Sequence, residues 1–193
     1  MVNEAKTAES EVATYTETTY LLTALACASI GSLHDLRTRR IPNILTGPAI
    51  LFGLLLHLAL GGPIQLGLSA IAGLAAGGIF LLFFVAGGMG AGDVKLMTAV
   101  GCLAGTAYIQ EVLLATVFVG AAMGIALALR RGQLRQTLAN VLTLARHHGA
   151  EGLATHPELN VRNPAVLRLP YALPIAAGCL VTVVLHVGKG LGQ

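Results

Sequence analysis

The stretch 87–97 reads GGMGAGDVKLM and places four glycines and one carboxylate, Asp93, between two long apolar runs. The glycines leave the backbone before Asp93 free to adopt positive φ and allow another chain segment to approach closely. An extended substrate segment could lie against such a turn, although a flexible connection between two helices explains the glycines equally well. The counterpart of Asp93 is Asp35, which closes an earlier apolar run.

The composition is that of an integral membrane protein. Of 193 residues, 55% are hydrophobic and 11% are charged, whereas a soluble domain carries about a quarter charged residues. We therefore expect an all-α polytopic membrane protein, a bundle of about six transmembrane helices, with several runs near the lower length limit for a span. The apolar runs are 15–33, 44–60, 64–85, 94–109, 112–129 and 171–187.

The expected organisation is one membrane domain with short polar ends. Residues 1–19 form a polar, non-cytoplasmic lead-in, 20–187 form the six-helix domain, and 188–193 form a C-terminal tail. The domain includes a cytoplasmic loop, 130–170, whose role the sequence does not indicate.

Basic residues predict the orientation in the cell membrane. If the loop after the first run is cytoplasmic, alternation places the 86–93 turn and the 130–170 loop on the same side, and both termini face away from the cytoplasm. Only Lys6 and Lys189 then lie on the non-cytoplasmic side. This excess of basic residues on the cytoplasmic side is what the positive-inside rule describes. The basic residues on the cytoplasmic side are Arg37, Arg39, Arg40, Lys95, Arg130, Arg131, Arg135, Arg146, Arg162 and Arg168.

The same alternation brings Asp35 and Asp93 to one depth at one face of the bundle. A charge at membrane depth is costly and usually has a functional reason. Two neighbouring carboxylates cannot both ionise easily, so one retains a proton while the other stays charged. Such a pair can activate water and protonate a leaving amine, which is what peptide hydrolysis requires. Which carboxylate is the base stays open, because a coupled pair titrates as a unit.

Two motifs resemble those of the prepilin peptidases, the type IV leader peptidases, which are membrane aspartyl proteases with a GxGD motif. They are D-x-R-x-x-x-I-P-N at 35–43 and G-A-G-D at 90–93, and the later P-Y-A-L-P at 170–174 is similar to the start of the family's last helix. The resemblance implies a membrane-embedded endopeptidase that removes the short leader from a pilin-like precursor at the cytoplasmic face, after a glycine. Asp35 and Asp93 match the family's catalytic aspartates.

The chain departs from the larger members of that family. It passes from the first apolar run to Asp35 without a cytoplasmic insertion, and it has no CxxC motif. We therefore expect no zinc, no cofactor and no N-methylation. In this the chain is similar to the short peptidases of tight-adherence (Flp) pili or to archaeal preflagellin-type peptidases.

Other residues have weaker functional interpretations. Gly90, Gly92, Lys95 and Arg37 are candidates for substrate binding, although Lys95 can equally be a helix-end lysine that reaches the interface and Arg37 a topology anchor. We expect Cys27, Cys102 and Cys179 to be buried thiols. No histidine is expected to bind a metal, and no nucleic-acid partner is expected.

Two other functions remain open. The aspartates could relay protons or bind a cation in a small transporter, although transport favours carboxylates near the midplane and repeated halves with broken helices. The chain could also be a non-enzymatic assembly subunit, which would leave the paired aspartates unexplained. The sequence does not determine the precursor or the oligomeric state.

Overall fold

The protein is helical throughout its regular structure. The computed structural model describes residues 2–157, 159, 160 and 170–191. Within these ranges the chain forms no strand, and the predicted all-α class is confirmed. Five helices are present there: α1 (Val2–Thr38), α2 (Asn43–Val85), α3 (Ala91–Arg130), α4 (Leu134–Glu151) and α5 (Ala172–Leu191).

Helix α2 folds back on itself at Gly62. This glycine has φ 77° and ψ −171° and precedes Pro63, which cannot donate a helical hydrogen bond. Gly53 and Gly73 both lie against Cys102 of α3, so closely that a Cβ on either glycine would overlap it. Twenty residues of straight helix span about 30 Å, so the two glycines meet one residue only if α2 is a hairpin.

Helix α3 contains a second interruption, at Gly105, with φ 67° and ψ −178°. Leu96 packs against Gly31, in the C-terminal part of α1. Tyr108 donates a hydrogen bond of 2.6 Å to Glu17, much nearer the start of α1. The chain from Leu96 to Tyr108 therefore crosses the bundle antiparallel to α1.

After Gly105, the second arm of α3 returns along α5. The Tyr108 hydroxyl lies 3.3 Å from Nδ1 of His186, and Gly120 packs against Pro174. The arm thus runs antiparallel to α5, and it continues for ten residues beyond Gly120 to its end at Arg130. The predicted boundary between the fourth and fifth apolar runs, at 110–111, is wrong: the polar residues there suggested a turn, but the chain turns at the glycine.

The helix bounds do not confirm six separate spans. Helices α2 and α3 are each long and apolar enough to cross a membrane, and Ala172–Gly188 is a shorter apolar helix. Large apolar side chains point outward over much of the bundle; Ile64, Leu74 and Phe118 are more than 70% exposed. Such continuous apolar exposure is typical of a surface that contacts lipid or another protein.

The N-terminal lead-in, the 130–170 loop and the C-terminal tail all contain more helix than expected. Helix α1 begins at Val2, so residues 2–19 continue the first helix, because no glycine or proline interrupts the chain before Gly31. The 130–170 loop contains α4, and α5 extends into the expected tail as far as Leu191. Arg162 and Arg168, which contribute to the predicted orientation, lie outside the described residues.

Candidate active site

Asp35 and Asp93, the two aspartates of the chain, lie at the same end of the bundle. Asp35 is in the last turn of α1 and Asp93 is the third residue of α3. They are close enough for the charge of Asp35 to act on the carboxyl of Asp93. Asp93 is 8% exposed and Asp35 is half-buried. The structure thus brings together the pair that alternation of the apolar runs predicts.

Asp93 caps its own helix. The Gly90 N–H donates a hydrogen bond of 3.1 Å to Oδ2 of Asp93, and the Asp93 N–H donates one of 3.2 Å to the Gly90 carbonyl. The first bond is the half of a capping box in which the third helical residue accepts from the N-cap N–H. It fixes the orientation of the carboxylate at the positive end of a helix.

The glycines before Asp93 were expected to adopt positive φ, and most of them do not. Of Gly87, Gly88, Gly90 and Gly92, only Gly87 has positive φ, at 81°. Gly90 has an ordinary extended conformation, with φ −87° and ψ 154°, and it is exposed beside Asp93. A substituent on Gly90 would meet Oδ2 of Asp93 at 3.3 Å, so its small size matters more than its φ.

Gly92 allows the connection between α1 and α2 to pack on the start of α3. A Cβ at Gly92 would stand 3.2 Å from Cβ of Ile41, and Ile41 is partly buried against the core. Close approach was expected at these glycines, and here the approaching segment belongs to the protein itself. The contact helps to hold the end of α1, with Asp35, beside Asp93.

Lys95 points to the start of α2. Its Nζ donates a hydrogen bond of 2.9 Å to Oδ1 of Asn43, the first residue of that helix. The lysine therefore links α3 to α2. Its proposed contact with substrate stays a prediction.

Arg39 is the arginine whose charge acts on Asp35. Arg39 ends α1 in a left-handed conformation, with φ 55°, and its N–H donates a hydrogen bond of 2.8 Å to the Asp35 carbonyl. Arg37 is exposed on the last turn. Its proposed contact with substrate stays a prediction.

Tyr171 is a site residue that the sequence analysis did not assign. It immediately precedes α5, is half-buried against the core, and lies near enough for the charge of Asp93 to act on its hydroxyl. The Pro170-Tyr171 pair was the available signal. Proline fixes φ just before the helix, but only the packing of α5 shows that Tyr171 reaches Asp93.

The cysteines are buried, as predicted: Cys27, Cys102 and Cys179 are free thiols inside the bundle. His57 is also buried, and its ring stacks on Tyr20 with a centroid separation of 3.9 Å. Among the described residues, no group of three histidines, cysteines or acids could hold a metal ion.

Fold and site together define a class of protein: an apolar helical bundle with a pair of carboxyl groups at one end, able to share a proton and to act on water. The sequence model of the type IV leader peptidase family matches residues 21–125. Because the match covers more than half of the chain, this protein belongs to that family, whose members are embedded in membranes. The matched region contains both aspartates, whereas α4 and α5 lie beyond it.

The prepilin leader peptidase/N-methyltransferase of Aeromonas hydrophila is 41% identical to this chain over 105 residues. The alignment covers 50% of this chain and 36% of that relative. No solved structure gives a significant match.

Proposed function

We propose that this protein is a membrane aspartyl endopeptidase that removes the leader from pilin-like precursors, with Asp35 and Asp93 as its catalytic pair. One observation carries the proposal. The two aspartates are far apart in sequence, meet at one end of the bundle, and both fall within the part of the chain that matches the peptidase family.

In the proposed reaction, the ionised carboxylate takes a proton from a water molecule while the water oxygen attacks the scissile carbonyl carbon. The protonated carboxyl donates its proton to the carbonyl oxygen, which gives a tetrahedral intermediate. When the C–N bond breaks, the leaving amine takes a proton from the carboxyl that acted as base, and one hydroxyl of the tetrahedral intermediate returns its proton to the other carboxylate as the product C=O forms. The pair then holds one proton again, and no metal or covalent intermediate takes part.

The exposed glycines of the site also suggest where an extended segment of the substrate binds. Gly90 is exposed beside Asp93, and Gly88 is exposed in the same turn, so neither glycine carries a side chain that would keep an extended backbone away. A helical precursor must unwind before its peptide bond is accessible, and an extended segment fits this surface. Arg37 and Lys95 stand exposed near the same end and remain candidates for contacts with the substrate.

A six-pass topology belongs to the proposal. Helices α1 and α5 cross the bilayer once, and α2 and α3 cross twice because they fold back at Gly62 and Gly105. The connections 39–42, 86–90 and 131–133 then lie on one side together with the aspartates. The positive-inside rule makes this side cytoplasmic, and both termini face the other side.

Cleavage of a pilin precursor tests the proposal. The full chain is reconstituted in vesicles with a precursor, and loss of the leader is followed by mass. Wild type should cut after a glycine, and Asp35→Asn and Asp93→Asn should each lower the rate by at least about a hundredfold. Glu151→Gln is the matched control because it makes the same acid-to-amide change at an exposed residue of α4.

The outcomes separate the candidate functions. Full cleavage by either aspartate variant would exclude the catalytic pair. Failure of folded wild type to cut several precursors would favour transport, to be followed by ion-flux measurements. The mass of the product also tests the prediction that its new N-terminus is not methylated.

A further inference from the structure

Helix α4 has one apolar face that the rest of the bundle leaves exposed. Successive residues of a helix are about 100° apart, which puts Leu134, Leu138, Val141, Leu142 and Ala145 on one side. Leu138, Val141 and Leu142 are each more than half exposed. The opposite side carries the polar residues Gln136, Asn140, Thr143 and His147.

This face has no partner among the described helices. Helix α4 contacts α3, which it follows after a short turn, and makes no packing contact with α1, α2 or α5 in the described part of the chain. A helix with such a face is stabilised when the face is covered. Its position and charge indicate what covers it.

Both ends of α4 are held at the end of the bundle where the aspartates lie. At its N-terminal end, Gly132 makes the turn from α3 with φ 65°. Beyond its C-terminal end, Thr155 Oγ1 donates a hydrogen bond of 2.9 Å to the carbonyl of Val85, and its side chain packs against Gly87. These two attachments place α4 at the level where the apolar exterior of α2 and α3 ends.

The apolar exterior continues into this helix. Ile125 and Leu129, near the end of α3, are each more than half exposed, and α4 begins just after them. A helix tied at this level can place its apolar face into the same lipid layer while its polar face remains in water.

The charge on α4 matches a surface of anionic headgroups. Residues 130–151 contain four arginines and one acidic residue, Glu151. Arg135 and Arg146 each directly follow a residue of the apolar face, so they lie at its edge, and both are exposed. Arginines at the edge of an apolar face are positioned to bind lipid phosphates while the face enters the acyl boundary.

We infer that α4 is an interfacial helix that lies in the plane of the leaflet next to the aspartates and binds anionic phospholipid. Leu138, Val141 and Leu142 enter the acyl boundary, and Arg135 and Arg146 bind headgroup phosphates. This does not depend on the proposed peptidase activity; it requires only that the bundle is embedded in a bilayer.

Spin labels on opposite faces of α4 test the inference in the full chain. Val141→Cys and Thr143→Cys are a matched pair, two residues and about 200° apart, and the three native cysteines are buried. In vesicles of phosphatidylcholine with phosphatidylglycerol, the label at 141 should collide with lipid-soluble oxygen and the label at 143 with an aqueous nickel chelate. Equal access of the chelate to both labels would overturn the inference, as would a label at 141 that neither reagent reaches, since this indicates a protein partner.

The arginines have their own test. Adding Arg135→Gln and Arg146→Gln to the variant labelled at 141 should lower the ratio of membrane-bound to unbound α4 by roughly fivefold per arginine in vesicles with phosphatidylglycerol. The same changes should have little effect in phosphatidylcholine alone. An unchanged label environment in both lipids would refute headgroup binding, and circular dichroism shows whether the variants keep their helix content.

Discussion

Replacing Gly105 with alanine should destabilise the bundle more than the same change at any other described helix break. Two costs add at this position. The backbone conformation, φ 67° and ψ −178°, is one that essentially only glycine adopts, and another residue there costs about 1–3 kcal/mol. A Cβ would also stand 2.6 Å from Nε2 of His57.

His57 cannot easily move away from this Cβ. Its ring is buried and stacks on Tyr20, and its Nδ1 lies 3.0 Å from the carbonyl of Gly53, at hydrogen-bond distance. Forcing an extra carbon into such a packed site typically costs about 1–3 kcal/mol. The expected loss for Gly105→Ala is therefore about 2–6 kcal/mol in the free energy of unfolding.

Two matched alanine variants separate these costs. Gly62→Ala has the same kind of backbone strain, but no atom lies within 4 Å of its new Cβ, so it should lose only about 1–3 kcal/mol. Gly124→Ala lies inside the second arm of α3 with open space around it. It should gain about 0.5–1 kcal/mol because alanine favours helix over glycine.

The assay uses the buried thiols. In detergent, a thiol-reactive dye reports thermal unfolding because Cys27, Cys102 and Cys179 are buried in the folded protein. The midpoint temperatures should fall in the order Gly124→Ala, wild type, Gly62→Ala, Gly105→Ala. The reasoning about His57 is refuted if Gly105→Ala is as stable as Gly62→Ala, and the fold-back at Gly62 is refuted if Gly62→Ala matches wild type.

Three further predictions concern the site and the opposite end of the bundle. Lys95→Met and Asn43→Ala remove the same hydrogen bond, so each should lower thermal stability by about 1 kcal/mol and affect cleavage equally; a larger loss of cleavage in Lys95→Met alone would show that the lysine contacts substrate. Tyr108→Phe removes the hydroxyl that joins α1 to α3 through Glu17 and should cost about 1.5–3 kcal/mol in the same dye assay, whereas an unchanged midpoint would show that the contact is not stabilising. Cleavage should fall at both acid and alkaline pH, because the aspartate pair lacks a base when both carboxyls are protonated and lacks an acid when both are ionised; a rate that is constant from acid to alkaline pH would argue against a shared proton.

Much of the architecture follows from hydropathy and glycine placement along the chain. The apolar runs predict an all-helical membrane bundle, and the Gly-Gly-Pro at 61–63 lies where the second and third runs separate and where α2 folds back. The second fold-back was misplaced by several residues, because Gln110 and Glu111 suggested an end to the apolar run, while the conformation of Gly105 makes the turn. Hydropathy averages over a window and cannot identify which single residue takes an unusual φ.

The sequence by itself indicated the membrane class and predicted that Asp35 and Asp93 lie at the same end of the bundle, because two apolar runs separate them and an even number of passes returns the chain to the same end. Only the tertiary structure decided which neighbours these aspartates have: Arg39 at the end of α1, Tyr171 before α5, and Lys95 turned toward Asn43. The physical reason is that the number of passes through the bundle depends on the length and polarity of each segment, and both can be read directly from the sequence. A side chain's partners depend on how each helix is rotated about its axis and on which helices pack beside it, and these are set by contacts between residues far apart in sequence.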